Sequence, residues 1–273
     1  MSETLPITDL PKPSYFDRAK WALFLDLDGT LIDIAPTPDS VIVPADLKPL
    51  LADASENLGS ALAIISGREA KFIEKIVGDA IGPIGGTHGG EMRMSDGTLR
   101  LTAGNWLTPA LSVIVKNLAN DHPALVIEQK ELGVAVHYRM APHLRQEVKE
   151  RLCKAVDLAD GSLVLQRGRM VYEILPAQVS KGRALASFMQ EKPFRGRRPL
   201  AIGDDITDES MFAAAQELGG LGIRVGLPDI PTTATHLLSN PRALRDWIRK
   251  VFVTPDLVKQ PSARPLAEPA PLA

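Results

Sequence analysis

Short apolar runs that end abruptly in polar residues constrain the fold of this chain more than any other feature. Residues 21–25 and 61–65 are predicted to be buried strands, and residues 199–202 form a third apolar run. A helix is predicted from about Pro44, between the first two runs, and another after the second, before a strand near residues 81–84. Strands that alternate with helices in this way pair as a parallel sheet with crossover helices.

The middle of the chain has a different pattern, in which a helix is followed by two strands and the unit is then repeated. The predicted strands are residues 124–128, 133–139, 162–166 and 170–175. Connections this short imply antiparallel pairing, so we expect a four-stranded antiparallel sheet with two helices on one face. The fold class is therefore α/β, with a Rossmann-like parallel core and an inserted α+β domain.

These patterns divide the chain into four parts. Residues 14–103 and 180–252 are predicted to form the core domain, and residues 104–179 the inserted domain. The two ends, residues 1–13 and 253–273, are rich in proline and are expected to be flexible.

Composition excludes several classes of function. The 31 Lys and Arg residues against 33 Asp and Glu residues give a net charge of −2, so no global attraction to nucleic acid is expected. Cys153 is the single cysteine of the sequence, which favours a reducing, cytoplasmic location. No apolar run approaches the about 18 residues that a membrane helix needs, so no membrane association is expected.

Carboxylates follow two of the apolar runs. Asp26 and Asp28 come after the first run, and an acidic stretch from Asp204 follows the run at residues 199–202. Because the carboxyl ends of parallel strands meet at one edge of a sheet, these groups are expected to lie close together. Like charges at close range require a cation, and carboxylate oxygens without His or Cys favour Mg²⁺.

Two further polar groups complete a predicted phosphoryl-transfer site. Ser66 follows the second run, and Lys181 lies just after the inserted domain, so both could donate hydrogen bonds to phosphoryl oxygens. Asp26 is predicted to attack phosphorus, while Asp28 protonates the leaving oxygen and later deprotonates water.

The order of these residues resembles the four motifs of the haloacid dehalogenase superfamily of phosphatases. The motifs are residues 26–30, Ser66, Lys181 and residues 203–205. The resemblance implies that Asp26 is the nucleophile and Asp28 the general acid and base. It also implies a metal site formed by Asp26, the backbone carbonyl of Asp28, and the acidic motif with Asp204, Asp205 and Asp208.

A closer resemblance, over roughly residues 20–250, is to the trehalose-6-phosphate phosphatase family. It rests on residues 86–91, Lys130, residues 137–139, Glu173 and residues 203–209. It implies an inserted cap domain whose polar residues contact the distal sugar of trehalose 6-phosphate, and a trehalose-6-phosphate synthase as functional partner. The expected substrate-binding residues are Gly67, Arg68, His88, Glu91, Lys130, His137, Arg139 and Glu173.

The alternation of side chains along the cap strands supports part of this assignment. In residues 133–139, Val134, Val136 and Tyr138 share one face of the strand. His137 and Arg139 share the other face, where Glu173 of the strand at residues 170–175 is also expected. An open polar face that carries both charge signs suits a hydroxyl-rich sugar.

Several alternatives stay open at this point. Glu173 is either a site residue or the partner of Arg139, and Arg68 could pair with an acidic neighbour. Ser66 could cap the following helix, and His88 could serve only the glycine-rich turn. The function could also be that of a glucosyl- or mannosyl-phosphoglycerate phosphatase, or of a non-catalytic phosphosugar-binding partner of a trehalose phosphate synthase.

Overall fold

The computed structural model describes residues 10–35, 40–78, 81–102, 106–168, 170–227 and 231–254. Its strands form two separate sheets, one of eight strands and one of four. The strands in chain order are β1 Trp21–Leu25, β2 Leu62–Ile65, β3 Ile84–Gly86, β4 Glu91–Arg93, β5 Leu99–Leu101, β6 Val126–Lys130, β7 Gly133–His137, β8 Leu163–Gly168, β9 Val171–Pro176, β10 Arg198–Gly203, β11 Leu221–Val225 and β12 His236–Leu238.

The larger sheet has the strand order β12-β11-β10-β1-β2-β3-β4-β5. All pairs from β12 to β3 are parallel, whereas β4 and β5 are added antiparallel at one edge. β1 lies at the centre and all five of its residues are buried, because crossover helices cover both faces of such a sheet. The predicted parallel core is confirmed.

Seven α-helices lie among the described residues, and they fall into two groups. The core helices are α1 Leu47–Asn57, α2 Ala70–Val77, α5 Lys181–Phe188, α6 Glu209–Glu217 and α7 Pro241–Ile248, and the other two are α3 Pro109–Asp121 and α4 Arg145–Asp157. Side chains at the N-caps fix three of the starts, since Thr108, Ser180 and Asn240 each accept a backbone N–H three residues on.

The smaller sheet, with α3 and α4, forms the inserted cap. It has the order β6-β7-β9-β8, and all three neighbouring pairs are antiparallel. Leu111 of α3 and Leu152 of α4 pack with Val136 and Tyr172 in one apolar cluster on one face of the sheet. This leaves the opposite face open, as the alternation in β7 and β9 predicts.

Several boundaries differ from those expected. The helix predicted from Pro44 begins at Leu47, because residues 44–46 form a turn in which Leu47 N–H donates to the Pro44 carbonyl. Strands β4, β5, β11 and β12 were not predicted, since they are short or carry charged residues and glycine within their apolar runs.

The ends of the chain lie mainly outside the described residues. Residues 1–9 and 255–273 belong to the segments expected to be flexible, and their flexibility stays a prediction, as do the domain boundaries. Of the expected flexible ends, Pro13 begins a short 3-10 helix and Val253 ends a π-helical turn, so both belong to the folded part. Within the described segments, no helix combines the length and the apolar character that crossing a membrane requires.

Candidate active site

The ends of three parallel strands bring the predicted catalytic residues to one edge of the core sheet. Asp26 N–H donates to the Ile202 carbonyl at 2.9 Å, and Ser66 N–H donates to the Gly85 carbonyl at 2.8 Å, so each strand continues to the functional residue. A cavity of about 230 Å³ lies here between this edge and the open face of the cap sheet. Asp26, Asp28, Ser66, Lys181 and Asp204 all line it.

Lys181 lies between two carboxylates below the cavity. Its Nζ donates to Asp26 Oδ1 and to Asp208 Oδ1, both at 2.7 Å, and all three side chains are buried. Burial disfavours the ammonium, but the two carboxylates outweigh this effect and raise the pKa of Lys181 above its ordinary value. Lys181 therefore remains charged and holds Asp26 in one orientation.

Asp26, Asp204 and Asp208 have carboxylate oxygens within 4.8 Å of one another. Burial, and then the Asp26 charge, raise the pKa of Asp204 to about 9, and burial also raises the pKa of Asp26 to about 6. Thr30 Oγ1 donates to both Asp26 Oδ2 and Asp204 Oδ1, at 3.1 and 3.3 Å. Lys181 supplies one positive charge for three carboxylates, so this oxygen-only cluster fits a hard divalent cation.

The loop after β1 lies so close to this acidic cluster that position 29 requires glycine. The φ of Gly29, +81°, is in the left-handed region, and a Cβ here would overlap the Asp204 carboxylate. The glycine therefore lets the loop after β1 approach the acidic stretch after β10.

Asp28 lies on another side of the cavity, where it pairs with Arg68. Arg68 Nε donates to Asp28 Oδ2 at 2.8 Å, and Nη2 donates to Oδ1 at 2.7 Å. Of the alternatives for Arg68, pairing with an acidic neighbour is the one that the structure contains. The Asp28 carboxylate is not a member of the cluster of Asp26, Asp204 and Asp208.

Ser66 does not cap the following helix. Its Oγ accepts the Arg68 N–H at 3.3 Å, whereas the N–H of Ala70, at the start of α2, donates to Glu91 Oε2 at 3.1 Å. Within the described part of the chain the Ser66 hydroxyl donates to no protein group, so its hydrogen can point into the cavity.

A charged group at the interface joins the cap to the core. Glu173 of β9 accepts from Lys130 of β6 at 2.5 Å and lies 2.6 Å from His88 Nε2 of the core. Lys130 also donates to the Gly67 carbonyl at 3.1 Å. Burial opposes the ionised form, yet Lys130 and His88 hold the pKa of Glu173 well below its ordinary value. The suggested Glu173–Arg139 pair is wrong, because Lys130 and His88 take both carboxylate oxygens.

The rest of the open cap face carries polar side chains on both sides of small residues in β7. His137 pairs with Glu128 at 3.1 Å, and Arg139 lies exposed at the rim of the cavity. Ala135 of β7 lies in register with both Glu128 and Glu173, so it leaves space between two carboxylates. Glu128 was missed from the sequence, although its alternation with Lys130 along β6 places it on the same face.

Three predicted site residues have carboxylates that other groups of the protein already engage. Glu91 is buried and accepts from Ala70 N–H and Thr87 Oγ1, so it supports the start of α2. Asp205 lines the cavity, but its Oδ1 accepts the Ile206 N–H. Asp208 is fully buried, and its Oδ2 accepts the N–H groups of Asp204 and Asp205. Their assignment to substrate or metal remains a prediction.

Comparisons with known proteins agree with this geometry. The sequence profile of the family described as Trehalose-phosphatase matches residues 24–238. A probable trehalose-phosphate phosphatase of Sinorhizobium fredii is 41% identical over 232 residues, which are 85% of this chain and 88% of that protein. The trehalose-6-phosphate phosphatase of Escherichia coli is 38% identical over 252 residues, 91% of each chain.

A solved structure shares the fold at lower sequence identity. The C-terminal domain of the C. albicans trehalose-6-phosphate phosphatase superposes with a TM-score of 0.78 at 22% identity, covering 92% of this chain and 99% of that one. The family profile and the two bacterial relatives extend over core and cap alike. This chain therefore belongs to the trehalose-phosphatase family.

Proposed function

We propose that this chain hydrolyses trehalose 6-phosphate to trehalose and inorganic phosphate through an aspartyl-phosphate on Asp26. One observation carries the proposal: Asp26, oriented by Lys181 and Thr30, faces a cavity that a cap bearing charges of both signs covers. Asp26 lies at the core end of this cavity, and the charged residues of the cap lie at the other end. That arrangement suits a substrate with a phosphate at one end and a polyhydroxylated body at the other.

In the first step, a carboxylate oxygen of Asp26 attacks phosphorus and the bond from phosphorus to the sugar oxygen breaks. Asp28 gives a proton to the departing oxygen, and such general acid catalysis contributes about 10²- to 10⁴-fold. In the second step, Asp28 takes a proton from water as the water oxygen attacks phosphorus. Asp26 is released together with inorganic phosphate.

Lys181 and Ser66 act on the phosphoryl oxygens, where the charge resides in the transition state. The Lys181 ammonium is already aligned by Asp208, and the Ser66 hydroxyl hydrogen is free to donate to the substrate. Asp26 and Asp204, with the Asp28 carbonyl, would hold Mg²⁺. The ion would neutralise charge on the nucleophile and on the phosphoryl group.

Location and partner belong to the same proposal. The free thiol of Cys153 supports a reducing, cytoplasmic environment. A trehalose-6-phosphate synthase, which would supply the substrate, is the expected functional partner.

The test is phosphate release from trehalose 6-phosphate and from a panel of sugar monophosphates that includes glucosyl- and mannosyl-phosphoglycerate. It compares the wild type with Asp26→Asn, in Mg²⁺ and in chelator. Asp96→Asn is the matched control, since this exposed residue lies in the turn between β4 and β5. Selective, metal-dependent release that Asp26→Asn abolishes and Asp96→Asn retains is the expected result.

Other outcomes lead to other functions. Release from a phosphoglycerate ester in preference to trehalose 6-phosphate would make the chain a related sugar-phosphate phosphatase. Binding without release in Mg²⁺ would make it a non-catalytic phosphosugar-binding protein.

A further inference from the structure

The pairing of Asp28 with Arg68 is closer than an ordinary surface ion pair. Two N–H groups of one guanidinium reach the two oxygens of one carboxylate, at 2.8 and 2.7 Å, and the two side chains are 20% and 26% exposed. A planar guanidinium that donates to both oxygens of a carboxylate fixes the rotation of that carboxylate as well as its position. The carboxylate of Asp28 therefore has one orientation in this structure.

Arg68 is itself held on several sides. Its guanidinium lies 4.6 Å from the centre of the ring of Phe72, in the first turn of α2. Its backbone N–H donates to Ser66 Oγ, and its carbonyl accepts the Thr87 N–H at 2.8 Å. Lys130 of the cap donates to the carbonyl of the preceding residue, Gly67. The segment that carries Arg68 thus has hydrogen bonds to both the core and the cap, and its guanidinium contacts Asp28.

This pairing separates two carboxylates that are close in sequence. Asp26 belongs to the acidic cluster with Asp204, whereas the Asp28 carboxylate, two residues later, does not. A cation bound in that cluster would attract the Asp28 carboxylate as well. A carboxylate drawn onto the cation could no longer exchange a proton with the leaving oxygen.

We propose that Arg68 is a positioning residue that holds the Asp28 carboxylate beside the cavity and away from the acidic cluster. The inference rests on the proposed function, because it assumes that Asp28 exchanges the proton with the sugar oxygen. It differs from the expectation that Arg68 contacts the substrate, for example at its phosphate. A residue that binds the phosphate contributes to the hydrolysis of every phosphate ester alike. A residue that positions the general acid matters most when the leaving group is a sugar oxygen, which leaves slowly unless it receives a proton.

The experiment is a double-mutant cycle on hydrolysis of trehalose 6-phosphate in Mg²⁺, with the wild type, Arg68→Gln, Asp28→Asn and the double variant. Arg68→Lys is included because an ammonium cannot contact both carboxylate oxygens along a planar edge. Arg93→Gln is the matched control: its side chain is also 20% exposed and pairs with Glu74 at 2.8 Å, far along the chain from Asp28. p-Nitrophenyl phosphate, whose leaving group needs no proton, is the second substrate.

We expect Arg68→Gln and Arg68→Lys each to lower kcat for the sugar phosphate by about 10- to 100-fold, part of the about 10²- to 10⁴-fold of general acid catalysis. In the Asp28→Asn background, Arg68→Gln should change the rate by less than about 2-fold, since the group that it positions is already absent. Turnover of p-nitrophenyl phosphate should fall much less, and Arg93→Gln should leave kcat for both esters unchanged.

Two results would overturn the inference. The first is a loss from Arg68→Gln that is the same in both backgrounds, and the second is an equal rise of KM for both esters, as for a phosphate ligand. If the protein does not hydrolyse p-nitrophenyl phosphate, the double-mutant cycle on the sugar phosphate alone tests the inference. If the wild type does not hydrolyse trehalose 6-phosphate, the proposed function fails instead, and the cycle is run on the sugar phosphate of the panel that is hydrolysed.

Discussion

His88 of the core and Glu173 of the cap lie 2.6 Å apart, and both line the cavity that the catalytic residues also line. His88 has a φ of +57°, and its N–H donates to the Ser66 carbonyl, so the loop that carries Ser66 also aims the imidazole at the cap. This cavity has a volume of about 230 Å³.

Replacing Glu173 by Gln removes the charge that joins Lys130 and His88. We expect KM for trehalose 6-phosphate to rise by about 10- to 100-fold, because a hydrogen bond to a charged group contributes about 1.5–3 kcal/mol. Steady-state kinetics measures this. The control is Glu147→Gln, which removes a carboxylate paired with His122 at 3.0 Å on the cap helices. Equal KM values for both variants would contradict the prediction.

The Glu173 carboxylate should also make the stability of the protein depend on pH in the acid range. Lys130 and His88 hold the pKa of Glu173 below the 4.5 of an unperturbed glutamate. A group whose pKa is lowered on folding contributes stability above its unfolded pKa and loses it as the pH falls through its folded pKa. The difference in Tm between wild type and Glu173→Gln should therefore be fully present above about pH 5 and narrow as the pH falls toward about 3. A difference that grows on acidification would refute this.

Lys181→Met should destabilise the fold as well as abolish activity. The substitution keeps much of the side-chain volume but leaves Asp26 and Asp208 buried without their shared cation. Removal of one partner from a buried ion pair costs about 3–5 kcal/mol. Urea unfolding in chelator measures the change, with the exposed Lys149→Met as control. A loss of activity with unchanged stability would show that Lys181 is not required for folding.

Two adjacent aspartates should respond differently to Mg²⁺. Asp204 belongs to the acidic cluster, whereas Asp205 caps a short 3-10 helix. A ligand at about 100 times its Kd stabilises the folded state by about 2.7 kcal/mol. The wild type and Asp205→Asn should therefore gain Tm on addition of Mg²⁺, and Asp204→Asn should not. An equal loss of the Mg²⁺ effect in both variants would place Asp205 among the ligands.

Glu91→Gln distinguishes support of the loop from contact with substrate. The carboxylate accepts from Ala70 N–H and Thr87 Oγ1, and the residue does not line the cavity. We expect a loss of about 1–3 kcal/mol of stability, as for an impaired buried hydrogen bond, with KM unchanged. Denaturant unfolding and steady-state kinetics on one preparation measure both. A raised KM at unchanged stability would restore the direct contact that family resemblance implies.

The amino-acid sequence by itself determined where the chemistry lies. Apolar runs of four or five residues bounded by polar residues are typical of buried strands in such a sheet. Asp26 and Ser66 directly follow two of these runs, and Asp204 follows the third after one glycine. The period of two along β7 and β9 also predicts which cap face is polar, because side chains alternate across any strand. These are local relationships, and local relationships can be read from residue order.

Tertiary structure alone decided which charges pair. Arg68 meets Asp28, 40 residues away, and Glu173 meets His88 and Lys130 rather than Arg139. Glu91, an expected substrate contact, accepts a hydrogen bond from the Ala70 N–H at the start of α2, 21 residues earlier in the chain. Which charges pair depends on the distance between atoms that lie on different strands and in two domains. The order of residues along the sequence does not give such distances. The physical reason is that an ion pair depends on three-dimensional proximity, whereas a strand depends on the residues within it.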